Sequence, residues 1–401
     1  MRTIARLSLT TVATLTAMPA AAQTLTPLAE ARLRYETVEQ DNLPKDAHAV
    51  TTRLRTGVEA KAARFSALFE AQGNLSIVPD YFDGLNGKTD RPLIADPRSI
   101  GVYRAQLRYA APGFAVTAGR QRIALDDERF VGAAQIRNNA QTFDAVRTEW
   151  TPIKGLKADV TYAWGVRTVW GIDGTGQRQR AISGDNVFAT LGVATPIGTA
   201  TAFAYLVDQD EAVVQNYRLS SQSYGLRLNG TQPIGKAKLS YTLSHARQSD
   251  WGRNPNDYAA AYWLGEGAVE LSGSKLGGGY EVLGADEGRA LTAFNTPLSS
   301  IFKFQGWADK FTTTPADGIR DVYANVGHVW PVVGRLKGVG VQAAYHRFAS
   351  DRLVRRYGDE LDLLATAKLD RTALSVRYAD YRADGFGVDT RKFWLQLDWT
   401  L

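Results

Sequence analysis

Arginine carries the clearest chemical pattern in this chain. Arg32 and Arg34, Arg53 and Arg55, and Arg104 and Arg108 recur at even spacings, and Arg147, Arg167, Arg227 and Arg377 stand in segments of the same kind. A guanidinium stays charged, and its planar fork grips a carboxylate through two parallel hydrogen bonds. A ladder of such groups would hold anions at many weak sites. Acids share these positions, among them Glu30, Glu36, Glu59, Glu70, Glu149 and Asp159. They allow a second reading, in which Arg and acid pair across neighbouring strands and simply fill space.

Other chemistries find less support. The four histidines are His48, His245, His328 and His346. His245 and Ser272-Gly273 fall on different predicted strands without a supporting spacing, and Asp126-Asp127 reads as a solvated pair in a loop. No Gly-rich phosphate loop followed by Lys-Ser/Thr occurs, and no His-x-Glu zinc spacing. With no cysteine there is no thiol nucleophile or thiolate metal site. The chain is therefore not expected to be an enzyme or to hold a metal or cofactor.

The elements that would position the arginines have a period of two. Ala29, Ala31, Leu33 and Tyr35 alternate with Glu30, Arg32, Arg34 and Glu36. Leu54, Thr56, Val58 and Ala60 alternate with Arg53, Arg55, Gly57 and Glu59. Leu156 to Trp164 and Leu361 to Leu369 repeat the pattern, the latter with Glu360 and Asp362 on its polar face. Such segments are strands with one apolar and one polar face. The polar faces are often fully charged, and the apolar faces carry Tyr and Trp near strand ends. A closed barrel with lipid outside and water inside satisfies both faces and leaves no open edge.

Composition agrees. The 401 residues are 44% hydrophobic and 22% charged, too apolar and aromatic for disorder. Residues 1–22 read as a secretory signal peptide: Arg2 and Arg6 precede a short apolar run, and Ala20-Ala21-Ala22 offers a cleavage site before Gln23. Residues 23–401 form one unit. Loss of two arginines and no acid takes the formal charge from +6 to +4, too modest to suggest a nucleic-acid partner. An exported chain without cysteine is no disulfide scaffold. The long uncharged stretch 186–207 holds Gly192, Pro196 and Gly198 at its centre and reads as a hairpin, not a membrane helix.

Turn signals set the strand count. Pro-Gly-type turns at 112–113, 152–155, 196–198, 233–235 and 331–334 recur about every 40 residues, with one gap twice as long in which Gly265–Gly267 supplies a further turn. Two strands and a longer loop fit each repeat. The expectation is an all-β transmembrane antiparallel barrel of about 18 strands, with short periplasmic turns, long extracellular loops and both termini on the short-turn side. Strand starts are expected near residues 28, 49, 64, 100, 114, 142, 156, 187, 199, 221, 236, 258, 268, 319, 339, 360, 372 and 391. Residues 75–99 and 284–318 are long enough to be functional loops. The last strand turns Phe393, Leu395, Leu397, Trp399 and Leu401 outward, the type of aromatic C-terminal strand that barrel-assembly machinery recognises.

Three segments resemble the alginate export family of outer-membrane porins. The first is Gly119-Arg120-Gln121-Arg122-Ile123, with Glu128-Arg129-Phe130-Val131-Gly132 and Gln141-Thr142-Phe143-Asp144-Ala145-Val146-Arg147. The second is Phe294-Asn295-Thr296-Pro297-Leu298 with Lys303-Phe304-Gln305-Gly306-Trp307-Ala308-Asp309-Lys310-Phe311; Phe302 stands where the pattern usually has His. The third is Tyr345-His346-Arg347-Phe348 with Tyr357-Gly358-Asp359-Glu360-Leu361-Asp362. The resemblance implies an 18-stranded monomeric barrel with an arginine-rich constriction that exports an anionic polysaccharide.

Residues and resemblance together give an integral outer-membrane channel, among outer-membrane lipids and lipopolysaccharide, passing an alginate-like polyuronate or, alternatively, small anions or sugar acids. The expected lining is Arg32, Arg34, Arg53, Arg55, Arg104, Arg108, Arg120, Arg122, Arg147, Arg167, Arg227 and Arg377. Glu30, Glu59, Glu149, Asp144, Glu360 and Asp362 are their expected acidic partners in the lumen. Rings of Arg favour anions through a pore.

Overall fold

The computed structural model describes residues 24–401. The expected signal peptide, residues 1–22, lies outside the described residues. The strands are β1 (Thr24–Gln40), β2 (Ala47–Ala62), β3 (Phe65–Asp80), β4 (Ser99–Ala111), β5 (Phe114–Gln121) and β6 (Thr142–Ile153). They continue as β7 (Leu156–Arg167), β8 (Ala181–Thr195), β9 (Gly198–Val207), β10 (Ser221–Ile234), β11 (Ala237–Asp250) and β12 (Ala259–Leu271). The last six are β13 (Ser274–Leu283), β14 (Ile319–Val333), β15 (Leu336–Ala349), β16 (Arg356–Leu369), β17 (Thr372–Ala383) and β18 (Thr390–Thr400). Each pairs antiparallel with the next, and β1 pairs with β18 from Glu30↔Thr400 to Gln40↔Thr390, closing an 18-stranded barrel.

Closure follows from the faces. Leu33, Leu54, Phe69, Leu107, Leu226, Leu276 and Val326 are exposed on the outside, where only lipid can cover them. Aromatic side chains ring both ends of this apolar band. Phe114, Trp150, Trp330 and Trp399 lie near the short turns; Tyr35, Trp164, Trp263 and Tyr345 lie toward the long loops. Such girdles mark the two membrane interfaces. Adjacent residues of one strand then meet opposite solvents. Leu226 is 68% exposed and its neighbour Arg227 is 8% exposed inside. Leu226→Arg is therefore expected to lower folding stability in a bilayer by about 2–4 kcal/mol, read by denaturant titration in lipid vesicles.

The turns separate as expected, short on the side of the termini and long on the other. One turn was misplaced by the sequence. Gly265 and Gly267 are not a turn but lie within β12, and β13 begins at Ser274 rather than near residue 268. The real turn is at Ser272 (φ 50°) and Gly273 (φ 81°), the doubly left-handed pair of a tight hairpin. Gly267 of β12 faces Gly278 of β13, and Tyr323 leans over the neighbouring Gly279 with its hydroxyl donating to Glu266 (2.6 Å). Similarly, β8 begins at Ala181, six residues before the expected start.

The lumen is not an open tube. Residues 122–141, between β5 and β6, and residues 284–318, between β13 and β14, fold inward. Their Ile123, Leu125, Val131, Phe294, Leu298, Phe302 and Phe311 pack against Phe143, Phe188, Phe203, Tyr262, Phe348 and Tyr381 of the wall. The two loops also interlock. Val131 bridges Leu298, the Gly132 amide donates to the Leu298 carbonyl (2.8 Å), and the Ser300 hydroxyl donates to Glu128 (2.7 Å). The sequence singled out residues 284–318 as a long functional loop, and 122–141 only through the first resemblance motif. The other expected long loop is shorter than read, because β3 runs to Asp80.

Candidate channel constriction

The densest charge inside the barrel comes from β1 and β2. Their register sets Arg32 opposite Arg53 and Glu30 opposite Arg55. Like charges directly opposite are unfavourable, so each guanidinium needs acceptors from elsewhere. Arg32 donates to Asp398 (2.7 Å) and Arg34 to Gln396 (2.8 Å) and Asp96 (3.0 Å). Arg55 donates to Gln72 (2.6 Å) and lies over the Tyr103 ring at 3.8 Å. Arg53 hydrogen-bonds to Glu30 at 3.4 Å and has Asp398 at 4.0 Å, both through Nη2, while its Nε and Nη1 have no partner among the described residues. Arg377 of β17 lies over Phe302 and Trp307, and its Nε is also unpartnered. Arg32, Arg34, Arg53 and Arg55 are buried, and Arg377 is half-buried.

The neighbouring stretch of wall, β13 to β16, is acidic. Glu281 faces Asp321 across β13 and β14, and Glu360 and Asp362 follow on β16. His346 bridges to Asp321 (2.9 Å). Two of these acids anchor the loops. Glu281 accepts from Arg129 (2.6 Å), Tyr262 (2.8 Å) and Gln305 (2.7 Å), while Glu360 accepts the Ala308 amide (2.7 Å). A positive stretch of wall, β17 to β2, thus adjoins a negative one, β13 to β16.

Other expected lining residues are inside but engaged. Arg104 pairs with Glu70 (2.7 Å), Arg108 with Glu149 (2.9 Å), Arg147 with both oxygens of Asp159, and Arg227 with Asp127 (2.9 Å). Glu59 pairs with Lys61 (3.0 Å). For these, cross-strand pairing describes what the side chains do.

Four assignments are corrected. Arg120 and Asp144 pair with each other in register, continuing the row of Ala105, and that row faces outward with Phe69. The parity set by Arg147 and Glu149 already requires this for Asp144. Arg167 joins them, donating to Asp144 (3.2 Å). Its parity is reversed because an extra residue, Trp164, bulges β7 between Ala163 and Gly165. Arg122 is exposed just past the end of β5. The Ser–His pair is not assembled: His245 lies against Trp263 at 3.8 Å on the outer face, and Ser272 is a turn residue.

Several charged residues in the lumen were missed. Lys392 follows from parity, since Phe393 faces out. Arg129, Arg137, Asp309 and Lys310 sit on the inward loops, where alternation says nothing; only the motifs around Glu128-Arg129 and Asp309-Lys310 marked them. Above the constriction these residues help line a cavity of about 520 Å³ in which Arg129, Arg137, Lys310 and Lys392 outnumber the single acid Asp309. Asp309 accepts from Arg137 and Lys392, both at 2.7 Å. Burial alone would raise its carboxyl, but these two cations hold it at about 2. A depressed carboxyl contributes stability above its unfolded value near 4 and loses it as pH falls through the folded one. The tie should persist to about pH 4 and loosen between pH 4 and 2, with single-channel current noise rising only in that window. Asp309→Asn should raise the noise at neutral pH.

A closed antiparallel barrel with a lipid-facing belt and inward loops is the architecture of an integral outer-membrane barrel. Its fold is that of the outer-membrane porins of the Opr and Occ group. Acinetobacter baumannii OccAB4 has a TM-score of 0.70 at 14% identity, covering 95% of this chain and 99% of that one. Pseudomonas aeruginosa OccK9 gives 0.70 at 14%, covering 94% and 98%. Pseudomonas aeruginosa OpdK, solved with vanillate, gives 0.69 at 12%, covering 94% and 98%. A model of the alginate export family matches residues 95–287, which bears out the resemblance read from the sequence. No curated protein matches the chain.

Proposed function

We propose that the protein is a passive outer-membrane channel for carboxylate-bearing saccharides, an alginate-like polyuronate foremost. The observation that carries this is the guanidinium column of Arg32, Arg34, Arg53, Arg55 and Arg377, which holds more donors than its neighbours satisfy. The cationic cavity above it raises the local anion concentration. Each uronate carboxylate would meet successive forks, and because each contact is one of several weak ones the solute moves on. A passive pore sets no direction of its own, so the solute follows its gradient.

The polymer is supported by the family match, since residues 95–287 include the loop that covers the column. The packed inward loops favour the second reading, passage of small anions or sugar acids, as does the likeness to a fold seen with a small carboxylate, vanillate, in OpdK. Planar-bilayer conductance tests both. A preference for anions is expected, with block by oligouronates that deepens with chain length and no block by neutral oligosaccharides. Block independent of chain length would favour small solutes, and a cation-selective pore would sink both readings.

A further inference from the structure

The guanidinium column is occupied by the protein itself. Arg32 Nη1 donates to the backbone carbonyls of Gln135 (3.3 Å) and Ile136 (3.0 Å), and Arg34 Nη2 donates to the same Ile136 carbonyl. Arg55 Nη1 donates to the Gln135 side-chain oxygen (3.1 Å). These acceptors sit at the tip of the loop 122–141. Ala134 adopts a left-handed conformation (φ 46°), and the Arg137 amide donates back to its carbonyl (3.0 Å), making a turn that carries the next two carbonyls against the column.

The acceptors are neutral oxygens where charged ones would bind better. A hydrogen bond from guanidinium to carboxylate is about twice as strong as one between neutral groups and can be bidentate. Beside the tip, Arg53 Nε and Nη1 and Arg55 Nη2 are buried donors without partners. Such groups are costly to leave unmatched. A carboxylate that enters as the tip moves therefore replaces weaker acceptors and also gains donors that had no partner. The tip's remaining ties are mostly polar: Ala134 to Ser300 (2.9 Å), Gln135 to Tyr103 (2.8 Å), Asn138 to Thr51 (2.9 Å) and Asp96 (2.7 Å), Asn139 to Gln72 (3.2 Å), Asn74 and the Pro97 carbonyl (3.0 Å), and Arg137 to Asp309 (2.7 Å), with Ile136 packed against the apolar core.

We propose that the tip at Ala134–Asn139 is an anion-released latch. The carbonyls of Gln135 and Ile136 stand in for a solute carboxylate, and a carboxylate on Arg32, Arg34, Arg53 and Arg55 displaces them and opens the constriction to the solute that it passes. This rests on the function proposed above, and it adds that the solute itself controls the open state. A ligand that binds only the released state shifts the population toward it by its differential affinity.

The absence of cysteine from the sequence makes the test clean. Thr51→Cys with Asn138→Cys places two thiols where the tip meets the wall, and a short bis-methanethiosulfonate joins them. In planar bilayers, millimolar sodium glucuronate should raise open-channel current at least about threefold in the reduced protein, and glucose should not. The linked protein should not respond, and reductant should restore the response. A linked channel that opens as the reduced one does, or current that only falls with glucuronate, overturns the latch while leaving an anion-selective channel intact. Loss of anion preference in both forms would instead sink the function on which it rests. Should the double variant fold poorly, trypsin on the unmodified protein reads the same event. Glucuronate should speed cleavage after Arg137 about tenfold, and an unchanged rate overturns the proposal.

Discussion

Replacing Arg53 and Arg55 together by glutamate is expected to convert an anion-preferring conductance into a cation-preferring one. The two side chains lie on β2, side by side under the loop tip, and the pair of substitutions shifts the charge there by four units. Two unit charges 4 Å apart interact by about 4 kcal/mol at the effective dielectric of a protein surface, and every 1.4 kcal/mol is about tenfold in partition. Even after strong screening, the ratio of anion to cation permeability should fall at least about tenfold, read as the sign of the reversal potential in a salt gradient. Arg53→Lys with Arg55→Lys should keep the sign. Arg120→Glu is the discriminating control. Arg120 is an equally charged residue of the first resemblance motif, but it faces outward beside Asp144, so selectivity should not move. A reversal by Arg120→Glu, or none by the β2 pair, would mean that the column does not set the field of the pore.

That contrast also shows what was legible in the sequence. Alternation gave the wall, because a strand between lipid and water must change residue type at every step. Several expected starts, at Phe114, Thr142, Leu156, Ser221, Ile319 and Thr372, are the observed ones. What alternation lost is anything that adds or removes one residue. The bulge at Trp164 reverses the face of Arg167, and no composition signal marks it. The plug was harder still. Its docking is a set of long-range apolar contacts, invisible to local periodicity. A trace was nevertheless present: Phe143, Phe188, Phe203 and Phe348 occupy positions whose parity points inward. A water-filled lumen has no use for four buried phenyl rings, so their presence required something apolar to enter it. Residues 122–141, with Ile123, Leu125, Phe130 and Val131, supply it. Among the arginines, parity told inside from outside for most but could not tell paired from unpaired, because the partners Asp96 and Gln135 come from loops.

Arg129→Ala is expected to unplug the channel without unfolding the barrel. Arg129 is almost fully buried between the two inward loops and the wall. Its Nε donates to Glu281 of β13 (2.6 Å), its Nη1 to Thr296 (3.1 Å), and its guanidinium lies over the Phe304 ring at 4.7 Å. One side chain therefore joins the loop 122–141 to the loop 284–318 and both to the wall. Removing one partner of a buried ion pair costs about 3–5 kcal/mol, because the other charge is left uncompensated. Here the stranded charge is Glu281, which keeps Tyr262 and Gln305 as donors but can regain solvation only if the loops withdraw. The wall itself stays closed, because its ring of strand ladders is not broken by that withdrawal. The expected result is a larger and noisier single-channel conductance, with the heat-modifiable migration of the folded barrel on gels unchanged. The double variant Arg129→Met with Glu281→Gln separates charge from packing. It removes the stranded carboxylate and retains bulk at Arg129, so conductance should return toward that of the unaltered protein. If Arg129→Ala leaves the conductance as it was, the loops are held by their aromatic packing alone, and the buried pair contributes specificity of docking rather than its stability.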